Sequence, residues 1–183
     1  MSDYRARVYP CLIVFVGGIT NEKVLVVMGS DSDLKVMEKC VDRLKSFDIP
    51  TEVRICSAHR TPAVAEQLAK NAAAEGFGVI IAAAGKAAHL GGVLAAYTTL
   101  PVIGVPMATS VMGGMDSLLS IVQMPKGIPV ATVAIDGADN AAILAAQMIA
   151  LSDDALAQKL AQFKADMAAE VTAKDEKVRA QFA

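Results

Sequence analysis

Val24-Leu-Val-Val-Met28, followed at once by Gly29-Ser30-Asp31-Ser32-Asp33, decides the fold. Five apolar residues, mostly β-branched and free of charge, read as a strand buried on both faces, which belongs inside a parallel sheet. Downstream, Leu34, Met37, Cys40, Val41, Leu44 and Phe47 recur at spacings of three and four, the pattern of an amphipathic helix, and Ile49-Pro50 ends it. The alternation then repeats. Thr51 to Cys56 reads as a second strand. Thr61-Pro62 opens a helix with Val64, Leu68 and Ala72 on one face and Pro62 in its first turn, and Gly76 and Gly78 stop it. Val79 to Ala83 is a third strand and His89 to Tyr97 a helix. Val102 to Val105 is a fourth strand closed by Pro106, and Met115 to Gln123 a helix. Val130 to Ile135 is a fifth strand. Asn140 to Leu151 is an Ala-rich helix capped by Asp139 or Asn140. Asp153 caps a last helix that reaches Val171 or beyond.

Strands alternating with helices predict an α/β fold of three layers, α/β/α, with a flavodoxin-like open parallel sheet of about five strands. Residues 23–183 are expected to form one α/β domain with a C-terminal helical tail, which suits a chain of 183 residues. The C-terminal helix, like the Ala-rich helix before it, is expected to need a partner surface on a neighbouring subunit. The apolar set makes up 54%, and the 13 Gly raise it to about 61%, above the ~45–50% usual for soluble domains. That composition excludes disorder. It also predicts a homo-oligomer, since a monomer would leave apolar surface exposed. A net charge of −2 gives no bulk electrostatic attraction to nucleic acid or to an anionic membrane.

Three Cys, none at C-x-x-C spacing, argue against a disulfide framework or a structural zinc site and fit a reducing cytoplasm. Two His, without H-x-H or H-E-x-x-H spacing, argue against a protein-held catalytic metal. Residues 1–22 read as an N-terminal extension. Arg5 and Arg7 precede the apolar run Cys11 to Val16, a weak imitation of an export signal that lacks a small-residue cleavage site and is too short to span a bilayer.

Ligands of an open parallel sheet bind beyond the carboxyl ends of its strands. Three loops there are unusual. Gly29-Ser30-Asp31-Ser32-Asp33 offers a close backbone approach at Gly29, hydroxyls, and a helix N-terminus suited to an anion. Ser32 or Asp33 also serves as a helix cap. A phosphorylated sugar fits this set better than bare phosphate, because the carboxylates suit ribose hydroxyls. Ser57-Ala58-His59-Arg60-Thr61 pairs a guanidinium clamp with an imidazole able to carry protons near neutral pH. Neighbouring Cys56 reads as a small buried hydrophobe rather than a nucleophile. Ala84 to Gly92 is rich in small residues and carries Lys86 and His89. His89 also suits a helix cap. That both His of the chain fall on strand-end loops predicts one shared site.

The strings Gly29-Ser-Asp-Ser-Asp33, Ser57-Ala-His-Arg-Thr-Pro62, Ala87-Ala-His-Leu90 and Asp116-Ser-Leu-Leu-Ser-Ile-Val-Gln-Met-Pro125 resemble the class I N5-carboxyaminoimidazole ribonucleotide mutases of purine biosynthesis. The resemblance covers about residues 23–170. It implies an isomerisation that needs no cofactor and no metal: the carboxylate on the exocyclic nitrogen moves to ring carbon 4, through loss and recapture of CO2. It further implies that His59 is the acid/base and that Ser30, Asp33 and Arg60 hold the nucleotide. Gly29 lies in the first of these strings. Ser32 and Ser57 then neighbour the phosphate, and His89 contacts the substrate side of the pocket. It also implies a homo-octamer in the cytoplasm with a small-molecule substrate.

Three positions depart from the family loop, which reads roughly A-G-A-G-G-A-A-H-L-P-G. Ala83 and Lys86 stand where it has Gly, and Gly91 stands where it has Pro. Class II relatives, which carboxylate the ribonucleotide directly, carry an Arg near Lys86, a Lys in place of Arg60, and no A-A-H-L string; class I is the better match. A cation gripping the moving carboxylate in the ground state would slow the step, so Lys86 is expected to point outward or to be mobile. A non-catalytic nucleotide or flavin module is the remaining reading, and the scarcity of aromatics, 4%, argues against flavin stacking.

Overall fold

The computed structural model describes residues 22–183, so the extension and its apolar run from Cys11 to Val16 lie outside the described residues. Five parallel strands form one sheet in the order β2-β1-β3-β4-β5: β1 (Lys23–Met28), β2 (Thr51–Ile55), β3 (Phe77–Ala84), β4 (Val102–Pro106) and β5 (Ala131–Thr132). The helices are α1 (Leu34–Ser46), α2 (Pro62–Asn71), α3 (Leu90–Tyr97), α4 (Met115–Val122), α5 (Ala138–Ile149) and α6 (Asp154–Gln181).

The two-residue side-chain period of a strand splits the core into two layers. Val24, Val26, Met28, Val79 and Ile81 face Met37, Cys40 and Leu44 of α1 and Ala138, Ala141, Ala142, Ala145 and Ala146 of α5. Leu25, Val27, Ile80 and Ala82 face Ala65 and Ala69 of α2, Leu94 of α3 and Ile121 of α4. This is why the central strands had to be apolar throughout, and why β2 (Thr-Glu-Val-Arg-Ile), at the sheet edge, alternates.

Several expectations need correction. The buried face of α2 is Ala65 and Ala69, continued by Ala72, while Val64 is exposed, because small side chains let α2 approach the sheet. The fifth strand shrinks to two residues. Beyond it the chain still bonds to β4, from Val133 N–H to the Gly104 carbonyl and from Asp136 N–H to the Pro106 carbonyl, but without a regular ladder. Helix α5 starts at Ala138 behind Gly137, so neither Asp139 nor Asn140 caps it; Asp139 instead meets the Arg43 guanidinium at 2.7 Å. Asp153 does cap α6, accepting from Leu156 N–H at 2.9 Å. That helix runs ten residues beyond Val171. Among the described residues, no helix is long and apolar enough to cross a membrane.

Candidate active site

The loops after β1, β2, β3 and β4 enclose a cleft of about 460 Å³ at the carboxyl end of the sheet. All eight residues singled out from the sequence line it: Gly29, Ser30, Ser32 and Asp33 from the first loop, Ser57, His59 and Arg60 from the second, His89 from the third.

The first loop is built as a short 3-10 turn, Asp31–Asp33, ahead of α1. The turn is capped by Ser30, while Asp33 takes the N-cap position of α1 expected of it but makes no side-chain cap bond there. The Ser30 hydroxyl accepts from Ser32 N–H at 3.3 Å, and the Asp33 carboxylate accepts from Ser30 N–H at 3.2 Å, a reciprocal capping box. A Cβ added at Gly29 would meet no protein atom closer than 3.6 Å. The fold therefore does not itself demand Gly there, which leaves room for close approach by a ligand. Asp33 is almost completely buried, and that burial pushes its carboxyl above the ordinary value. Asp31 and Asp136 add repulsion, against the opposing hydrogen bonds from Ser32 and Ser30.

A raised carboxyl pKa in the folded state means the unfolded chain holds fewer protons. Stability is complete below the ordinary carboxyl value and falls as pH rises through it toward the raised value. The folded loop therefore disfavours the ionised form of Asp33 relative to the unfolded chain. Asp33→Asn can keep the bond from Ser30 N–H and lose the charge. We expect it to melt no lower than the parent at pH 7 while kcat/KM falls at least tenfold. Thermal scans beside steady-state assays check this, and an unchanged kcat/KM would free Asp33 of any role.

In the second loop, Thr61 closes the turn: its hydroxyl donates to the Ser57 carbonyl at 2.9 Å and accepts from Ser57 N–H at 3.1 Å. The Ser57 hydroxyl in turn accepts from Arg60 Nε at 3.4 Å. Cys56 is buried, with its thiol against Thr61. His59 crosses to the third loop, where its Nε2 lies 2.8 Å from His89 Nδ1 and the two rings meet edge to face at 76°. His89 occupies the N-cap position of α3 but makes no capping bond with its side chain; the ring goes to His59 instead. Lys86 is exposed, lines the cleft, and holds a left-handed backbone at φ 57°.

The sequence reading missed the fourth loop, Met107 to Ser110, which lines the opposite wall. It carries no charged residue to mark it, although the strand-end rule pointed there. Its supports explain the Asp116–Pro125 string. Thr109 Oγ1 donates to Asp116 at 2.9 Å, buried Ser117 donates to the Met107 carbonyl at 2.6 Å, and Ser120, which donates to the Asp116 carbonyl at 2.7 Å, lies 3.4 Å from the Lys86 carbonyl. Met124 packs over Gly92, where a Cβ would come within 2.9 Å of its methyl. Asp136, also missed, accepts from Ala108 N–H at 2.9 Å. Among the described residues, no group of three or more His, Cys, Asp or Glu is placed to hold a metal ion.

This arrangement can bind a phosphorylated sugar and move a proton beside a pocket lined by small residues. Known proteins agree with it. A family model described as AIR carboxylase matches residues 23–170. The N5-carboxyaminoimidazole ribonucleotide mutase of Methanocaldococcus jannaschii is 52% identical over 159 residues, covering 87% of this chain and 99% of that protein. That of Mycobacterium leprae is 54% identical over 153 residues, covering 84% and 90%. Among solved structures, PurE of Treponema denticola superposes with a TM-score of 0.79 at 30% identity, covering 85% of this chain and 98% of that one. With the motifs in order and both histidines in one cleft, the chain belongs to the AIR carboxylase family, and within it to the N5-carboxyaminoimidazole ribonucleotide mutases.

Proposed function

We propose that this chain converts N5-carboxyaminoimidazole ribonucleotide to 4-carboxy-5-aminoimidazole ribonucleotide in purine biosynthesis. One observation carries the reading. The chain's two His, thirty positions apart, meet at 2.8 Å on a cleft that also presents Ser30, Asp33, Ser57 and Arg60. In the proposed course, His59 begins protonated. The bond from the exocyclic nitrogen to the carboxylate breaks, CO2 is released, and the nitrogen takes a proton from His59. Ring carbon 4 then attacks CO2, and its own proton returns to His59, so no net proton is gained or lost. His89, whose Nδ1 lies 2.8 Å from His59 Nε2, holds that ring in place. Gly85 and Ala87 leave space for CO2 beside the ring. Keeping both fragments in one cleft avoids a bimolecular penalty. Ser30, Ser32, Ser57 and Arg60 take the phosphate and Asp33 the ribose hydroxyls.

The test is to supply the carboxylated and the uncarboxylated ribonucleotide separately. Turnover of the first, unaffected by added bicarbonate, supports the mutase. Turnover of the second that rises with bicarbonate would establish direct carboxylation instead.

We infer further that the protein acts as a homo-octamer in the cytoplasm. Every residue of α6 from Lys164 onward is exposed, including Met167, Val171 and Val178. Helices in proteins draw most of their stability from packing an apolar face, and this stretch packs none within its own chain. Met115, Leu119 and Val122 of α4 are each nearly half exposed as well. Light scattering should give about eight times the subunit mass, and removing residues 164–183 should lower it. A stable monomer at micromolar concentration would sink the inference.

A further inference from the structure

We propose that Lys86 is a substrate-binding residue whose ammonium pairs with an anionic group of the ribonucleotide. The inference deepens the mutase reading and rests on it. A carboxylated ribonucleotide brings two anionic groups, phosphate and carboxylate. Apart from the proton-carrying imidazoles, the cationic side chains lining the cleft are Arg60 and Lys86, beside the carboxylate of Asp33. The Arg60 Nε already donates to Ser57.

Among the described residues no carboxylate pairs with Lys86; Arg43, Arg54, Lys70, Lys159 and Lys174 have such a partner, whereas Lys86 shares its unpaired state with Arg60 on the same cleft. A lone ammonium on the cleft wall is set to be neutralised by what the cleft receives.

The backbone gives a second, independent argument. Asp48, Lys86 and Asp136 are the non-glycine residues with positive φ among those described. A short polar side chain such as Asp tolerates that region; Lys has no such compensation. Ser120 of α4, whose hydroxyl donates to the Asp116 carbonyl at 2.7 Å, lies 3.4 Å from the Lys86 carbonyl, so α4 stands against the strained turn. Strain of this kind, held by its surroundings at the wall of a site, points from outlier to function.

The outward Lys86 expected from the sequence and a ligand-facing one differ in their kinetics. An ion pair made equally in ground and transition states affects KM and leaves kcat largely alone. Lys86→Gln in the full chain should therefore raise KM for the carboxylated ribonucleotide about tenfold with kcat changed less than threefold. It should also flatten the salt dependence of kcat/KM. Lys86→Arg should restore KM. Lys86→Gly should melt about 2–4 °C higher, since it relieves the left-handed backbone, yet bind as weakly as Lys86→Gln; this separates a lost contact from damaged folding.

Two further titrations identify the anion. If Lys86 meets the carboxylate, parent and Lys86→Gln bind the uncarboxylated ribonucleotide equally. If it meets the phosphate, they bind the dephosphorylated uncarboxylated nucleoside equally but differ on the ribonucleotide. Normal parental turnover with an unchanged KM in Lys86→Gln overturns the proposal alone. A parent that fails to turn over the carboxylated ribonucleotide overturns the mutase reading and the proposal with it.

Discussion

His59→Asn should lower turnover by a factor of about 100 or more, close to 3 kcal/mol of barrier, while melting within a degree or two of the parent. The two halves of that expectation have separate physical origins. His59 sits on an exposed strand-end loop and lies in neither core layer, so the fold gains little from it. Among the described residues its one polar side-chain contact is with His89. In the proposed course, by contrast, one group gives a proton to nitrogen and later takes one from carbon. An amide does neither. His89→Asn should cost less, because His89 acts through His59, and should shift the pH profile of kcat. Near-parental turnover in folded His59→Asn would remove His59 from the mechanism.

Gly104→Ala should destabilise the fold by about 2–3 kcal/mol, lowering Tm by roughly 4–12 °C. Gly104 lies in β4, in register with Ala82 of β3 and Thr132 of β5. A Cβ there would stand 2.3 Å from Ile121 Cγ2 and 3.0 Å from Val130 Cγ1. Ile121 is buried and branched at Cβ, so it cannot swing aside; α4 must move as a body, and with it the residues that brace the cleft loops. Gly127→Ala is the control. Its Cβ would meet no atom within 4 Å, although its φ of 97° imposes backbone strain, so it should lose only about 1 kcal/mol. Denaturant or thermal unfolding of both variants compares clash with strain. Equal losses would mean that α4 accommodates the added methyl freely.

Where burial dictated composition, the fold was open to reading. Val24–Met28 and Val79–Ala83 had to be apolar on both faces, and the ends of both strands were found within two residues. Asp153 was readable as a cap because a short carboxylate before an amphipathic run has few other uses. What failed depended on contacts distant in sequence. Val64 and Ala65 are both apolar, and only the closeness of α2 to the sheet decides that Ala65 goes inside. The cap at Ser30 was missed because a 3-10 turn moves the helix start by one turn. At the site, chemically conspicuous residues were found and bland ones were not. Met107 to Ser110 forms a wall by position alone, and Asp136 supports it from a loop near the opposite sheet edge.

The short pairing of β5 has a consequence for how the molecule comes apart. β1 and β3 are hydrogen-bonded to strands on both sides, whereas β5 joins the sheet through two residues. Cooperative units with few internal bonds open first, so the β5 margin is the natural place for the sheet to fray. Three of the four cleft loops leave β1, β2 and β3, away from that margin. Opening that edge would free Asp136 from Ala108 and loosen the fourth cleft loop while the first three stay in place, and it would bare the flank of β4 as a template for unwanted strand pairing.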